Sequence, residues 1–157
     1  MELAYAQKLA EQIIEQIRPH CERIEVAGSI RRKKSEVRDI DIVLIPKPLL
    51  WHRITATLQR NMDAKAVKRG DIIAQLTVKD VNADLYSATE QTWGALLLIR
   101  TGSAERNINL SKRALSMGMK LTHSGLVKSG KVIASTEKEI FEALGLSYIE
   151  PEERNGT

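Results

Sequence analysis

Residues 39–45 read Asp-Ile-Asp-Ile-Val-Leu-Ile. Successive side chains of a strand point to opposite faces, so Asp39 and Asp41 share one face while Ile40, Ile42 and Leu44 share the other. Such a strand needs a packed layer on its apolar side and an open site on its carboxylate side. A bundle of helices cannot supply both, so a sheet covered by helices on one face is expected. Two like charges on one spot are unfavourable unless a cation offsets them. Magnesium suits the place, because it takes oxygen ligands and is commonly held by one or two carboxylates together with substrate phosphates.

The rest of the chain fits a mixed α+β fold. Leu3, Ala6, Leu9, Ile13, Ile14 and Ile17 recur at helical spacing until Pro19 ends the pattern. Strands are expected at 25–27, 39–45, 64–68, 72–78 and 81–86. Arg69-Gly70-Asp71 and Lys79-Asp80 are their turns, and a helix is expected over 49–58. Beyond residue 89 the apolar run 93–99 and residues 104–117 read as helices. A small strand-and-turn region follows, expected to form a short hairpin, and a last helix covers 137–144. The expected division is a first lobe of residues 1–88 and a second of 89–157. Trp93, Leu96 and Leu97 sit at helical spacing and read as core.

Composition narrows the chemistry. One cysteine, Cys21, excludes an intramolecular disulfide, and three scattered histidines, His20, His52 and His123, exclude paired-histidine zinc spacing. Any metal would be held by oxygen. The N-terminal segment carries charges throughout, so neither a signal peptide nor a membrane span is expected, and the location expected is cytoplasmic, at the nucleoid in a prokaryote. A net charge of +4 allows a polyanionic partner without requiring one.

Two further segments bear on the carboxylates. In Val81-Asn82-Ala83-Asp84-Leu85-Tyr86 the apolar and polar residues alternate, and Asp84 joins the other two aspartates if this strand pairs beside 39–45. Gly28-Ser29 follows a strand and opens a short helix through Arg31 to Lys34. Glycine lets a backbone approach a ligand, free N–H groups can meet phosphate oxygens, and arginines can add bidentate contacts. An Asp-x-Asp strand or an Arg-Arg-Lys-Lys run alone would more simply be a solvated face. Their adjacency favours a site for a polyphosphate and its metal ions.

The order Gly-Ser-Ile-Arg-Arg-Lys-Lys-Ser-Glu-Val-Arg-Asp-Ile-Asp, then Ala-Asp-Leu-Tyr, then Leu-Leu-Leu-Ile-Arg-Thr-Gly-Ser-Ala-Glu-Arg-Asn, and finally Tyr-Ile-Glu-Pro-Glu-Glu-Arg resembles the family X DNA polymerases, the polymerase beta-like group of nucleotidyltransferases. The resemblance implies a palm lobe followed by a thumb lobe. It implies two magnesium ions, replaceable by manganese, on Asp39, Asp41 and Asp84, the last helping to activate a primer 3′-hydroxyl. Gly28, Ser29 and Arg32, with Arg31 and Arg38 beside them, would hold the triphosphate of a dNTP. Thr101, Gly102 and Ser103 match a turn carrying a cis peptide beside the sugar, and Asn107 an asparagine at the minor-groove edge of the incoming base.

Expected partners are gapped or primer-template DNA and a dNTP, with no membrane and a monomeric state. DNA would be gripped by Arg100, Arg106, Lys112, Arg113, Lys128 and Lys131, with an affinity that falls steeply with salt. The activity implied is short-gap filling in repair. The alternatives are template-independent terminal nucleotide transfer and a nucleic-acid-binding module without catalysis. The chain departs from the family in four respects. Ile99 and Arg100 replace two aromatics that pack under the sugar, Ser111 stands where many members carry a template-reaching arginine, and Arg38 replaces a glycine. No lyase domain precedes the palm, so no deoxyribose-phosphate lyase activity is expected.

Overall fold

A computed structural model describes residues 1–156. Helix α1 (Leu3–Ile17) buries Ala6, Leu9, Ala10, Ile13, Ile14 and Ile17, the stripe its spacing predicts. Strand β1 (Cys21–Val26), the single turn α2 (Gly28–Arg31) and strand β2 (Ile40–Pro46) follow, then helix α3 (Trp51–Met62). Three strands complete the lobe: β3 (Lys65–Arg69), β4 (Ile73–Val78) and β5 (Val81–Ser87). The sheet order is β1-β2-β5-β4-β3, with β2 and β5 parallel and the other neighbours antiparallel.

Lys79 and Asp80 both have positive φ, at 50° and 65°. This two-residue turn has the twist that a tight hairpin needs, and it fixes Gln75 opposite Asp84. One sheet face presents Ile40, Ile42, Leu44, Leu76, Ala83 and Leu85, all buried against the helices α1 and α3. The opposite face carries the aspartates. Its lower half is closed by helix α4 (Trp93–Thr101), whose Trp93, Leu96 and Leu97 pack on Val43, Ile45 and Tyr86.

The second lobe comprises helix α5 (Ala104–Ser116), strands β6 (Lys120–Thr122), β7 (Gly125–Lys128) and β8 (Lys131–Ala134), and helix α6 (Glu137–Ala143). Ala95 and Leu98 turn the other side of α4 into the core of this lobe, beside Leu110, Leu126, Ile140 and Phe141. One short helix therefore belongs to both lobes. Gly94 allows its close approach to α6, because a Cβ there would strike the backbone of Ser135 and Thr136.

Four elements differ most from those expected. Strand β1 starts at Cys21; Glu22, Arg23 and Glu25 hid it, since an edge strand tolerates exposed charges. Helix α3 begins at Trp51, because residues 47–50 form a turn closed by Leu50 N–H donating to the Lys47 carbonyl. The turn α2 starts at Gly28, with Arg32 already its cap. The expected short hairpin is a three-stranded sheet, β6-β7-β8, whose first strand is too short and polar to show a period. Among the described residues no helix is long and apolar enough to cross a membrane.

Candidate active site

The parallel pairing of β2 and β5 makes Asp41 and Asp84 register partners, with Ile40 opposite Ala83 and Ile42 opposite Leu85. Asp39 immediately precedes β2, and Asn82 Nδ2 donates to its Oδ1 at 3.5 Å. Burial, Asp84 and Asp39 push the Asp41 carboxyl up to about 7, while Arg100 and Arg32 oppose the shift. Burial and Asp39 also raise Asp84. Burial and the Asp41 carboxylate push the neighbouring Tyr86 phenol up to about 12. The strand alternation thus brings together carboxylates that repel one another in a partly dehydrated place.

All three donors are hard oxygens, and their mutual repulsion asks for a cation, so the residues fit magnesium. Among the described residues, no three side chains of the ligating types stand close enough to cage an ion alone. An ion here would complete its shell from water or from a substrate's phosphates.

The Gly-Ser turn abuts this cluster. Ala27 N–H donates to the Asp41 carbonyl at 2.8 Å, tying the end of β1 to β2. Gly28 has φ 58°, and a Cβ there would overlap the Asp41 carboxylate. Only glycine permits this approach. With one turn, α2 has little macrodipole to offer; its contribution is the half-buried Ser29 and the backbone N–H groups beside Asp41.

The basic cluster divides. Arg32 donates from Nη1 to the Thr101 carbonyl at 2.5 Å and from Nε to Asn155 Oδ1 at 2.9 Å, and its charge acts on Asp41. Arg31 turns the other way, donating to Thr101 Oγ1 at 2.9 Å and to both carboxylate oxygens of Glu137 at 2.8 and 3.0 Å. Glu137 also accepts from Nη1 of Arg154, which is fully buried. Burial alone would raise the Glu137 carboxyl, but the two arginines outweigh it and hold it below its ordinary value. Arg31 thus joins the lobes rather than extending toward the carboxylates. Arg38 is exposed in the loop before Asp39.

Thr101 is completely buried, its Oγ1 donating to the Leu97 carbonyl at 2.6 Å. The Gly102–Ser103 peptide is cis, as the family resemblance implies. Ser103 caps α5, its Oγ accepting from Arg106 N–H at 3.3 Å. Asn107 Nδ2 donates to the Ile99 carbonyl at 2.7 Å, while its buried Oδ1 has no partner among the described residues. Of the expected DNA-binding cations, Lys112, Lys128 and Lys131 are exposed, the last two facing each other across the β7–β8 turn. Arg113 instead donates to the Leu144 carbonyl at 2.5 Å and so ties down the end of α6. Arg106 is half-buried, and Arg100 stacks on Tyr86 with Cζ 4.2 Å from the ring centroid.

Sequence reasoning missed four contributors. Glu137 and Arg154 join the lobes through Arg31, Asn155 holds Arg32, and Tyr86 carries Arg100. Tyr86 left a local signal, since it shares a strand face with Asp84, and Arg154 closes the Tyr-Ile-Glu-Pro-Glu-Glu-Arg segment that carried the family resemblance, though without a role.

The roomier clefts lie along the rear of the lobe seam, and both include Glu25, Arg31 and Tyr148 rather than the aspartates. Arg31 within them is already paired with Glu137. The aspartates border a smaller cleft with Val67, Gln75 and Asn82. The chemistry, rather than the room, marks the site.

Comparison with known proteins bears on the fold and the thumb segment. Residues 96–155 match the family model described as DNA polymerase beta thumb. The DNA polymerase/3′-5′ exonuclease PolX of Bacillus subtilis is 24% identical over 160 residues, covering 97% of this chain and 28% of that protein. DNA polymerase IV of Saccharomyces cerevisiae is 37% identical over 90 residues, covering 54% of this chain and 16% of that one. The repair DNA polymerase X of African swine fever virus is 24% identical over 140 residues, covering 83% of this chain and 80% of its own. The polymerase beta of Leishmania infantum, solved as a ternary P/T complex, shares the fold with a TM-score of 0.88 at 18% identity over 99% of this chain and 77% of that one. The fold is thus that of polymerase beta. The chain resembles these polymerases along its length, and it spans less than a third of the Bacillus and yeast relatives.

Proposed function

We propose that this chain is the catalytic and nucleotide-selecting part of a DNA polymerase, one in which a primer 3′-hydroxyl attacks the α-phosphate of a dNTP by metal-dependent nucleotidyl transfer and pyrophosphate leaves, most directly in short gaps during repair. The observation that carries this reading is the registered pair Asp41 and Asp84 lying against the Gly28 turn.

The residues divide the work. Asp39, Asp41 and Asp84 would hold two magnesium ions, or manganese in their place. Bound magnesium would offset carboxylate charge and lower the pKa of an attacking hydroxyl. Asp84, next to the cleft of Val67, Gln75 and Asn82, would orient that hydroxyl and take up its proton. Gly28 and Ser29 would meet the triphosphate with backbone and side-chain donors, with Arg32 as the nearest cation. Gly102, held against Arg32, and Asn107, with its free Oδ1, would border the sugar and base. Arg106, Lys112, Lys128 and Lys131 would contact DNA phosphates and make binding strongly salt-dependent.

Template-independent addition is the rival reading. It is favoured by Ser111, too short to reach a templating strand, and by Ile99 and Arg100 in place of aromatics under the sugar. Incorporation of labelled dNTPs on a one-nucleotide-gapped duplex and on a single-stranded primer, with magnesium at low salt, separates the two. Template-matched addition on the gap supports the polymerase, unselective addition to the single strand supports the rival, and no addition to either contradicts both.

A further inference from the structure

Arg100 leaves the last turn of α4 in the second lobe and crosses to the sheet of the first, where it rests on Tyr86. Tyr86 lies two residues beyond Asp84 on the same face of β5, so the guanidinium lies on the aspartate face of the sheet. Its charge acts on both Asp41 and Asp84. Among the described residues, no salt bridge joins Arg100 to any carboxylate, and its Nε is buried without a partner. Arg32 also acts on Asp41 but commits its N–H groups to Thr101 and Asn155. An aromatic face therefore holds Arg100 beside the carboxylates without covering their oxygens.

We propose that Arg100, held on the Tyr86 ring, is a built-in counter-cation of the Asp39, Asp41 and Asp84 cluster, steadying the carboxylates without metal and lowering their affinity for a divalent cation. The inference rests on the metal-binding reading of those aspartates. The cluster's charge in a partly dehydrated place must be offset, and Arg100 offers a guanidinium held on an aromatic ring whose buried Nε is uncommitted among the described residues. A divalent ion neutralises the same charge, so each cation weakens the hold of the other, and by linkage the effect is reciprocal. Arg100 is in this sense a positioning residue that links the second lobe to the metal state of the first. His123, on the β6–β7 turn, lies near enough for Arg100 to act on it, and burial and that charge together favour its neutral form, so it adds no competing cation.

The test uses the full chain without nucleotide. Mn2+ binding is followed by electron paramagnetic resonance, and thermal unfolding is measured in EDTA, for wild type, Arg100→Gln, Arg100→Lys, Asp41→Asn and the Arg100→Gln/Asp41→Asn double variant. Arg100→Gln is expected to bind Mn2+ at least ~5-fold more tightly and to melt below wild type in EDTA. That loss should shrink in the Asp41→Asn background, and Arg100→Lys should restore both properties. An Mn2+ affinity unchanged or weakened in Arg100→Gln, or an equal melting loss in the two backgrounds, would overturn the proposal and leave Arg100 a packing residue. Failure of every variant to bind Mn2+ would overturn the metal-binding half together with the proposed function, while the EDTA cycle still decides the counter-cation half.

Discussion

Glu137, at the first position of α6, bridges two arginines that lie 123 residues apart in the chain, Arg31 and Arg154. The side chains are 14%, 12% and 0% exposed for Arg31, Glu137 and Arg154, so the network is largely removed from water. It fixes the second lobe against the turn that abuts the aspartates.

Removing the central carboxylate strands two buried cations. Glu137→Gln is expected to lower the unfolding free energy by about 3–5 kcal/mol, measured by urea denaturation. Truncating Lys33, whose partner Glu152 lies 3.6 Å away at the surface, should cost less than about 1 kcal/mol.

The same carboxylate predicts a pH dependence. Its folded value is depressed below its ordinary 4.5, so the stability it contributes is fully present above that value and disappears as pH falls through the folded value. Wild type should therefore lose stability below about pH 4.5 more steeply than Glu137→Gln, as followed by thermal melting across pH 3–6. Parallel curves for the two proteins would contradict the assignment.

Gly28 has no tolerance for a side chain. Gly28→Ala combines a left-handed backbone with an overlap on the Asp41 carboxylate, and the expected loss of stability is at least about 1 kcal/mol. Nucleotide binding, read as quenching of a fluorescent dNTP analogue, should fall by at least about tenfold. Gly130→Ala is a control for backbone strain without crowding, because φ there is 76° and a Cβ would meet nothing within 4 Å.

Cys21 should be chemically silent. It is buried, its Sγ donates to the Ile17 carbonyl at 3.3 Å, and burial pushes the thiol up to about 11. A disulfide reagent at pH 8 should therefore label the protein only as fast as it unfolds, with full labelling in urea. Rapid labelling of the native chain would show that the end of β1 opens locally.

What the sequence discloses follows how far apart the interacting residues lie. The alternation in residues 39–45 and 81–86 shows on which face each aspartate lies, because a strand's period is local. That Asp41 meets Asp84 was legible only as a condition, since a parallel pairing joins strands separated by α3 and a hairpin. The pairing of Arg31 with Glu137 spans 106 residues and has no local trace. Arg31 and Arg32 look equivalent in a row, yet one joins the lobes while the other sits beside Asp41, because adjacent positions on a turn face different ways. Arg113, next to Lys112, reads as one more surface cation until the carbonyl of Leu144 is in place.

If the three aspartates serve metal-dependent nucleotide addition, magnesium titration of dNTP incorporation on a one-nucleotide gap will show it. Wild type should incorporate only with magnesium or manganese. Asp41→Asn and Asp84→Asn, each shown to be folded by circular dichroism, should lose at least about a thousandfold in rate. Incorporation that persists in either variant, or that proceeds at full rate in EDTA, would contradict the account.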